Sequence, residues 1–209
     1  MTTVAIFGVS GRTGQALAAG ARARGWAVRG FGRISSVAPV GAVMIHGGYD
    51  DAVRVQEVVR SADGVCCVFG PHPRSPDIFC AAATRAVIAA MTATGRRRLL
   101  CVTGAMVGDA PSRSLAMSWM AGIYRRWRPQ AARDRVEQED AVTGSILDWT
   151  LIKPPRLTEG GPTARIAAGP DVPVGILSSI SRADLATFML DAIVDPAHLR
   201  QRIIVTQRS

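Results

Sequence analysis

The residues with the clearest chemical meaning lie at the start of the chain, where glycines follow an apolar run. Residues 4–8 are apolar and end in Gly8, and Gly11 and Gly14 follow at intervals of three. A turn without side chains lets the backbone approach a pyrophosphate, and a helix that begins there offers free N–H groups and the positive end of its dipole. The pattern therefore predicts a dinucleotide-binding turn, with contacts from Gly8, Ser10, Gly11, Arg12, Thr13 and Gly14.

The spacing G-x-x-G-x-x-G differs from the usual G-x-G-x-x-G fingerprint, and a glycine pattern alone is weak evidence. Its place between a predicted strand and a predicted helix, near the N-terminus, is what favours a dinucleotide. Arg12 has two interpretations: it contacts a phosphate, or it is a solvated residue on the turn.

A second apolar run, residues 26–31, ends at Gly32-Arg33. In dinucleotide sites the residue after this strand reads the adenosine ribose: a carboxylate accepts from a 2′-hydroxyl, and an arginine accommodates a 2′-phosphate. Since Arg33 stands there with no Asp or Glu nearby, the sequence predicts NADP(H) as the cofactor.

Composition is that of a single globular domain spanning 1–209. The chain has 209 residues, of which 48% are hydrophobic and 20% charged, and no stretch reaches the roughly 18 apolar residues that a membrane helix needs. The N-terminus lacks the pattern of a signal peptide. We expect a cytoplasmic protein with no membrane partner, either a monomer or a homodimer.

The formal net charge is +9, and Lys153 is the only lysine. Arginines interleave with aromatic residues over 124–128, and such a pattern can stack on bases. The alternative is a solvated helix face together with an anionic cofactor elsewhere, and this we favour, so a nucleic-acid partner is not expected. The four cysteines, Cys66, Cys67, Cys80 and Cys101, form no C-x-x-C pair; we expect them to be reduced and buried, and expect no metal site.

Apolar runs alternate with helical stretches along the whole chain. Strands are predicted at 4–8, 26–31, 43–46, 65–70, 99–103, 149–153 and 203–206, and helices up to residue 24 and at 51–61, 79–94, 131–143 and 182–194. This alternation predicts an α/β fold with a doubly wound, mostly parallel sheet. The segments 104–130 and 154–181 are expected to be irregular and to form the substrate pocket, because ligands in such folds bind at the carboxyl ends of the strands.

Two further motifs add a family resemblance. They are D-W-T-L-I-K-P-P-R-L at 148–157 and I-S-R-A-D-L-A at 180–186. Together with the glycine turn and Arg33, they resemble the atypical short-chain dehydrogenases/reductases, in the NmrA-like and biliverdin reductase B-like (flavin reductase-like) branch.

This resemblance implies a Rossmann-type domain that binds NADP(H). It implies that Phe69, Gly70 and Pro71 border the cofactor after the fourth strand, and that Pro154 and Pro155 line the nicotinamide end. Lys153 occupies a position where the family usually has arginine.

The sequence departs from the family at the catalytic positions. Related reductases often carry a Ser after the fifth strand and a Tyr-x-x-x-Lys on the next helix, where the Tyr is the proton donor. Here Gly104 stands near the Ser position, and Ala131 and Arg135 fall at the Tyr and Lys positions. Gly48 also replaces an acidic residue often found near the adenine.

Three residues are candidates to replace the missing acid. His72 lies just beyond the fourth strand and could act as a general acid, or be an exposed loop residue between two prolines. Tyr124 has Arg125 and Arg128 nearby, and cations stabilise a phenolate; alternatively it anchors the loop. Thr103 could hydrogen-bond to the substrate or cofactor, or simply pack at the end of its strand.

The remaining candidates are binding residues. Lys153 could contact the cofactor or substrate, or form a salt bridge with a nearby carboxylate. Met106, Trp119 and Met120 could form an apolar wall for an aromatic substrate beside Tyr124, or pack in the core. Asp184 is expected to stabilise the start of a helix.

Three functions remain open from the sequence. The first is an NADPH-dependent reductase of a small aromatic or conjugated molecule, which takes its proton from water or from a recruited residue. The second is a non-catalytic NADP(H) sensor that acts on another protein. The third is a non-redox enzyme, an isomerase or dehydratase, on the same fold.

Overall fold

The computed structural model describes residues 1–32, 39–70, 78–108, 110 and 112–208. The strands are β1 Thr3–Phe7, β2 Ala27–Gly32, β3 Ala42–His46, β4 Gly64–Cys67, β5 Arg98–Val102, β6 Asp148–Lys153, β7 Arg156–Thr158, β8 Ile166–Gly169, β9 Ser179–Ser181 and β10 Gln201–Gln207. The α-helices are α1 Arg12–Ala23, α2 Ala52–Val59, α3 Cys80–Ala93, α4 Leu115–Trp127, α5 Pro129–Thr143 and α6 Arg182–Val194.

The main sheet has the order β3-β2-β1-β4-β5-β6-β10-β8, and all its pairs are parallel except β10 with β8. Strand order reverses beside β1, because β2 and β3 extend to one side and β4, β5 and β6 to the other. Ligands of open α/β sheets bind at the carboxyl ends of the strands at such a switch point. The doubly wound, mostly parallel α/β fold predicted from the sequence is confirmed.

Helices cover both faces of the sheet. Along β1, Val4 and Ile6 pack on the side of α1 and α6, whereas Ala5 and Phe7 pack on the side of α2, α3 and α5. Side chains alternate between the faces of a strand, and a strand covered on both faces is apolar throughout. This is why β1 and β4 appear in the sequence as continuous apolar runs.

The four cysteines lie in these two layers, buried and without disulfides, as predicted. Burial raises the pKa of Cys66 and of Cys101 to about 12 and that of Cys80 to about 11. Such thiols stay protonated near neutral pH and are poor nucleophiles.

The prediction that residues 104–130 and 154–181 are irregular is wrong in part. The first contains α4, which begins where the Ser114 hydroxyl accepts a hydrogen bond from the Met117 N–H. The second contains β8, which joins the edge of the main sheet, and the small β7–β9 sheet. Sequence analysis left α4 unassigned, although apolar residues do recur in it at the helical interval of four, at Leu115, Trp119, Ile123 and Trp127.

Asp184 stabilises the start of α6, as expected. Its N–H donates to the Ser181 hydroxyl, and its carboxylate accepts hydrogen bonds from Ser181, from the N–H and hydroxyl of Thr163 and from the Ala164 N–H. Burial raises the pKa of Asp184, but these hydrogen bonds lower it more, so it lies below the usual value. In the described part of the chain, no helix is long and apolar enough to cross a membrane.

Candidate cofactor-binding site

The glycine turn is a cradle with no room for side chains. Gly8 has φ +91°, and a Cβ placed on it would lie 2.8 Å from the backbone nitrogen of Phe69. A Cβ on Gly14 would overlap the Gly8 carbonyl oxygen and lie 2.6 Å from the Cα of Val9. The turn therefore packs directly against the end of β4, and Gly8 and Phe69 lie together at the switch point.

Helix α1 leaves its first N–H groups available to a ligand. Its N-cap is Gly11, which provides no capping side chain, and its first turn contains no acidic residue. The N–H groups of Arg12, Thr13 and Gly14 have no acceptor among the described residues. Free N–H groups at a helix N-terminus form an anion site, so the turn fits a pyrophosphate.

Phe69 belongs to a ring cluster beneath this edge of the sheet. Its ring centroid lies 5.6 Å from that of Tyr49 and also 5.6 Å from that of Phe79, and Tyr49 contacts Phe7 and Phe31. Because the Phe69 side chain is held in this cluster, its backbone has a fixed position against Gly8.

Arg135 joins the ends of β4 and β5. Its guanidinium donates to the carbonyl oxygens of Phe69 at 3.3 Å and Thr103 at 3.1 Å. The Ala105 N–H donates to the carbonyl of Pro154 at 2.9 Å. These hydrogen bonds hold three residues from different loops along one edge of the sheet, beside the glycine turn: Phe69, Thr103 and Pro154.

A buried ion pair lies directly behind Thr103. The Thr103 hydroxyl donates to Oε1 of Glu139 at 2.7 Å. Lys153 Nζ lies 2.8 Å and 2.9 Å from the two Glu139 carboxylate oxygens and 2.6 Å from the Val107 carbonyl. Glu139 is 2% and Lys153 1% exposed.

The Lys153 ammonium group therefore directs its three donors at protein acceptors, as in the salt-bridge interpretation of this residue. Burial lowers the pKa of Lys153, and the Glu139 carboxylate opposes that shift. The pair fixes the carboxylate that orients the Thr103 hydroxyl.

Sequence analysis missed most of this polar network on α5. Two further residues of α5 belong to this network. The Asp134 carboxylate accepts hydrogen bonds from the N–H groups of Cys80 and Ala81 at the start of α3. The Gln138 side-chain amide donates to the Thr84 hydroxyl at 3.0 Å. The available signal was the i, i+1, i+4, i+5 spacing of these four residues, which places them on one face of a helix. Sequence analysis assigned no contacts to these residues, because the same spacing is also that of a solvated helix face.

Arg12 lies at the mouth of the turn and is engaged by an acidic residue. Its guanidinium is 3.1 Å from Glu159, which also pairs with Arg182 at 2.6 Å. The Arg12 and Glu159 side chains are 75% and 66% exposed, so this pair is open to exchange with a ligand.

Other predicted site residues are not gathered here. Trp119 is 71% exposed on the outward side of α4, while Met106 packs in a small core with Ala105 and Met117. Tyr124 is half-buried on α4. Their roles as pocket or catalytic residues stay predictions. Arg33, Pro71 and His72 lie outside the described residues.

A separate cleft of about 440 Å³ lies between α3 and α5, lined by Arg85, Ile88, Glu137 and neighbouring residues through Ser145. The end of α5 leads back to the start of β6, so this cleft is at the opposite end of the sheet from the glycine turn. It is not continuous with the site described above.

Comparison with solved structures shows the same fold over the whole chain. A short-chain dehydrogenase/reductase from Veillonella parvula in complex with NADP has a TM-score of 0.81 at 15% identity, covering 100% of this chain and 95% of the other. An anaerobillin reductase from Escherichia coli O157:H7 has a TM-score of 0.81 at 22% identity, with coverage of 100% and 98%. The oxidoreductase ylbE from Lactococcus lactis has a TM-score of 0.79 at 14% identity, with coverage of 100% and 92%.

A search of curated proteins gave no significant match. The model of a family described as NAD(P)H-binding matches residues 8–196, which include the glycine turn, the edge formed by Phe69, Thr103 and Pro154, and the start of α6. The chain therefore belongs to the NAD(P)H-binding family, and the family relationship predicted from its sequence is confirmed.

Proposed function

We propose that this protein is an NADPH-dependent reductase of a small aromatic or conjugated molecule. The observation that carries the proposal is the glycine cradle, whose free N–H groups lie beside an edge that lacks the usual tyrosine acid. The NADP in the similar Veillonella structure supports the phosphorylated cofactor, as does Arg33 in the sequence.

In this proposal the turn from Gly8 to Gly14 holds the pyrophosphate, and Arg33 binds the 2′-phosphate. Phe69, Pro154 and Pro155 confine the nicotinamide end along the edge of the sheet. Bound NADPH supplies a hydride. The protein contributes position and exclusion of water, which are large effects when the reacting atoms are held in line.

The hydrogen bonding of Thr103 limits its role. Its hydroxyl proton is directed at Glu139, a carboxylate paired with Lys153, so its remaining capacity is to accept a hydrogen bond. We infer that Thr103 positions an N–H or O–H group of the cofactor or substrate and is not the proton donor. A substrate that accepts the hydride and can take its proton from water fits such a site better than an isolated ketone does.

A non-catalytic NADP(H) sensor is the second candidate. The observation that favours it is the use of Arg135, at the position of the usual catalytic lysine, as a structural link between Phe69 and Thr103. We keep the predictions of a single domain over 1–209 and of a cytoplasmic location for either function.

The deciding experiment is calorimetric titration with NADPH, NADH and NADP⁺, on the wild type and on Arg33→Ala. We expect micromolar binding of NADPH and weak binding of NADH. Arg33→Ala should weaken NADPH at least about tenfold and leave NADH nearly unchanged, because a charge-assisted contact to the 2′-phosphate is lost. Arg60→Ala, an exposed arginine directly after α2, is the control.

Equal weakening of NADPH and NADH would remove the assignment of Arg33 to the 2′-phosphate. Reductase and sensor are then separated by following NADPH absorbance with a flavin and a quinone as acceptors. Oxidation of the bound NADPH supports the reductase; tight binding with no oxidation by either acceptor supports the sensor.

Freeing Arg12 should improve cofactor binding. Glu159→Gln removes the carboxylate that pairs with Arg12 and that would repel phosphates at the turn. We expect the Kd for NADPH to fall about 2–5-fold, a small change because exposed ion pairs are weak. Glu57→Gln, which removes an exposed carboxylate paired with Arg54, should not change the Kd; a matching fall there would point to net charge alone.

A further inference from the structure

Helix α4 presents large apolar side chains to solvent. Leu115 is 91%, Trp119 71% and Trp127 79% exposed, and Ile123 and Met120 are each 38% exposed. Exposed apolar patches of this size mark interaction surfaces. The edge formed by Phe69, Thr103 and Pro154 comes from other segments of the chain, so the proposed cofactor site does not use this outward face.

The exposed residues form one stripe. Leu115, Trp119, Ile123 and Trp127 follow at intervals of four, and residues four apart are neighbours on one side of a helix. Met117 and Ala121, which are buried, hold the opposite side of α4 against the protein. Helix α4 thus has a packed inner face and an unpartnered outer face, defined here as the α4 stripe.

We propose that the α4 stripe binds the α4 stripe of a second copy of this chain, with the two helices antiparallel. The four residues are symmetric about position 121, so in an antiparallel pair Leu115 meets Trp127 and Trp119 meets Ile123, each contact occurring twice. A two-fold dimer requires this self-complementarity.

The area is that of a small interface. Its two tryptophans bury 150–250 Å² each when fully enclosed and are 71% and 79% exposed, so with Leu115 and Ile123 the stripe offers on the order of 400–600 Å² per chain, the low end of one side of a standard interface. Two tryptophans near the centre and end of the stripe are also the residue type that dominates binding energy in interfaces.

Charge favours the antiparallel arrangement. Arg125, Arg126 and Arg128 are exposed at the C-terminal end of α4. The N-terminal end of α4 is joined to the loop 170–178 by a hydrogen bond from the Ser114 N–H to the Val174 carbonyl, and this loop carries exposed Asp171 and Leu177. In an antiparallel pair, the arginines of one chain approach Asp171 and the apolar Leu177 of the other.

The first test is sedimentation equilibrium of the full chain. We expect a dimer with a dissociation constant in the micromolar range or below, and Trp119→Glu should raise that constant at least 30-fold. Ile146→Glu is the control, since Ile146 is 65% exposed but lies on the turn before β6. Circular dichroism and thermal unfolding establish that both variants are folded.

The second test fixes the orientation by cysteine cross-linking. All four native cysteines are buried and do not compete. When the Trp119→Cys and Ile123→Cys variants are mixed, the disulfide between the two variants should form faster than a disulfide between two copies of either one. If the helices were parallel, the disulfide between two Trp119→Cys chains would form fastest.

A wild type that is monomeric at about 100 μM, or a dimer that Trp119→Glu leaves intact, overturns the proposal. A monomer that instead sediments with phosphatidylglycerol vesicles would assign the α4 stripe to an anionic lipid surface.

Discussion

Replacing Glu139 with alanine is expected to lower the free energy of unfolding by about 3–5 kcal/mol, the usual effect of removing one partner of a buried ion pair. The substitution leaves the Lys153 ammonium group 1% exposed, with the Val107 carbonyl as its remaining acceptor. It also leaves the Thr103 hydroxyl without its acceptor. Urea unfolding followed by circular dichroism measures the change.

Glu137→Ala on the same helix is the matched control. Glu137 pairs with Arg133 at 2.9 Å, but their side chains are 41% and 83% exposed, so its loss should cost less than about 1 kcal/mol. The double variant Glu139→Leu with Lys153→Met should recover much of the lost stability, because an apolar pair of similar size needs no compensation. Equal destabilisation by Glu139→Ala and Glu137→Ala would contradict the burial of the pair.

Replacing Gly14 with alanine is expected to weaken NAD(P)H binding by at least about 100-fold. The new Cβ would overlap the Gly8 carbonyl and crowd the Val9 Cα, and these are backbone atoms that cannot rotate away. The turn must therefore open, which separates the free N–H groups of α1 from the place of the phosphates. Calorimetric titration with NADPH measures the effect, and thermal unfolding shows whether the variant is folded.

Gly20→Ala provides the comparison within the same helix. A Cβ there would meet only the tip of the Leu190 side chain, at 3.0 Å, and a side chain can move. Affinity should stay within about twofold of the wild type, since alanine is also the better helix former. Unchanged NADPH affinity in a folded Gly14→Ala variant would mean that the glycine turn is not where the pyrophosphate binds.

The sequence was sufficient for most strands of the main sheet and for the glycine turn. Runs such as residues 4–8 and 65–70 are apolar at every position because helices cover both faces of the sheet, and this pattern is visible without coordinates. The steric demands of Gly8 and Gly14 are also local, because they arise from a tight turn between neighbouring elements.

Helix α4 and β8 could not be predicted in the same way. Helix α4 carries large apolar residues on its outward side as well as on its inward side, and β8 is a short alanine-rich strand at the edge of the sheet. Both elements depend on contacts with distant parts of the chain, α4 with Val174 and β8 with β10.

The sequence by itself determined the doubly wound sheet, the tight glycine turn and the absence of the usual tyrosine acid, because each depends on residues that are close together in the chain. Only the tertiary structure decided what the polar residues of α5 do. Glu139 meets Thr103 and Lys153, and Arg135 meets Phe69, across 36, 14 and 66 positions of sequence. Charged residues at such separations are paired by the packing of α5 against the sheet, and no local pattern distinguishes them from a solvated helix face.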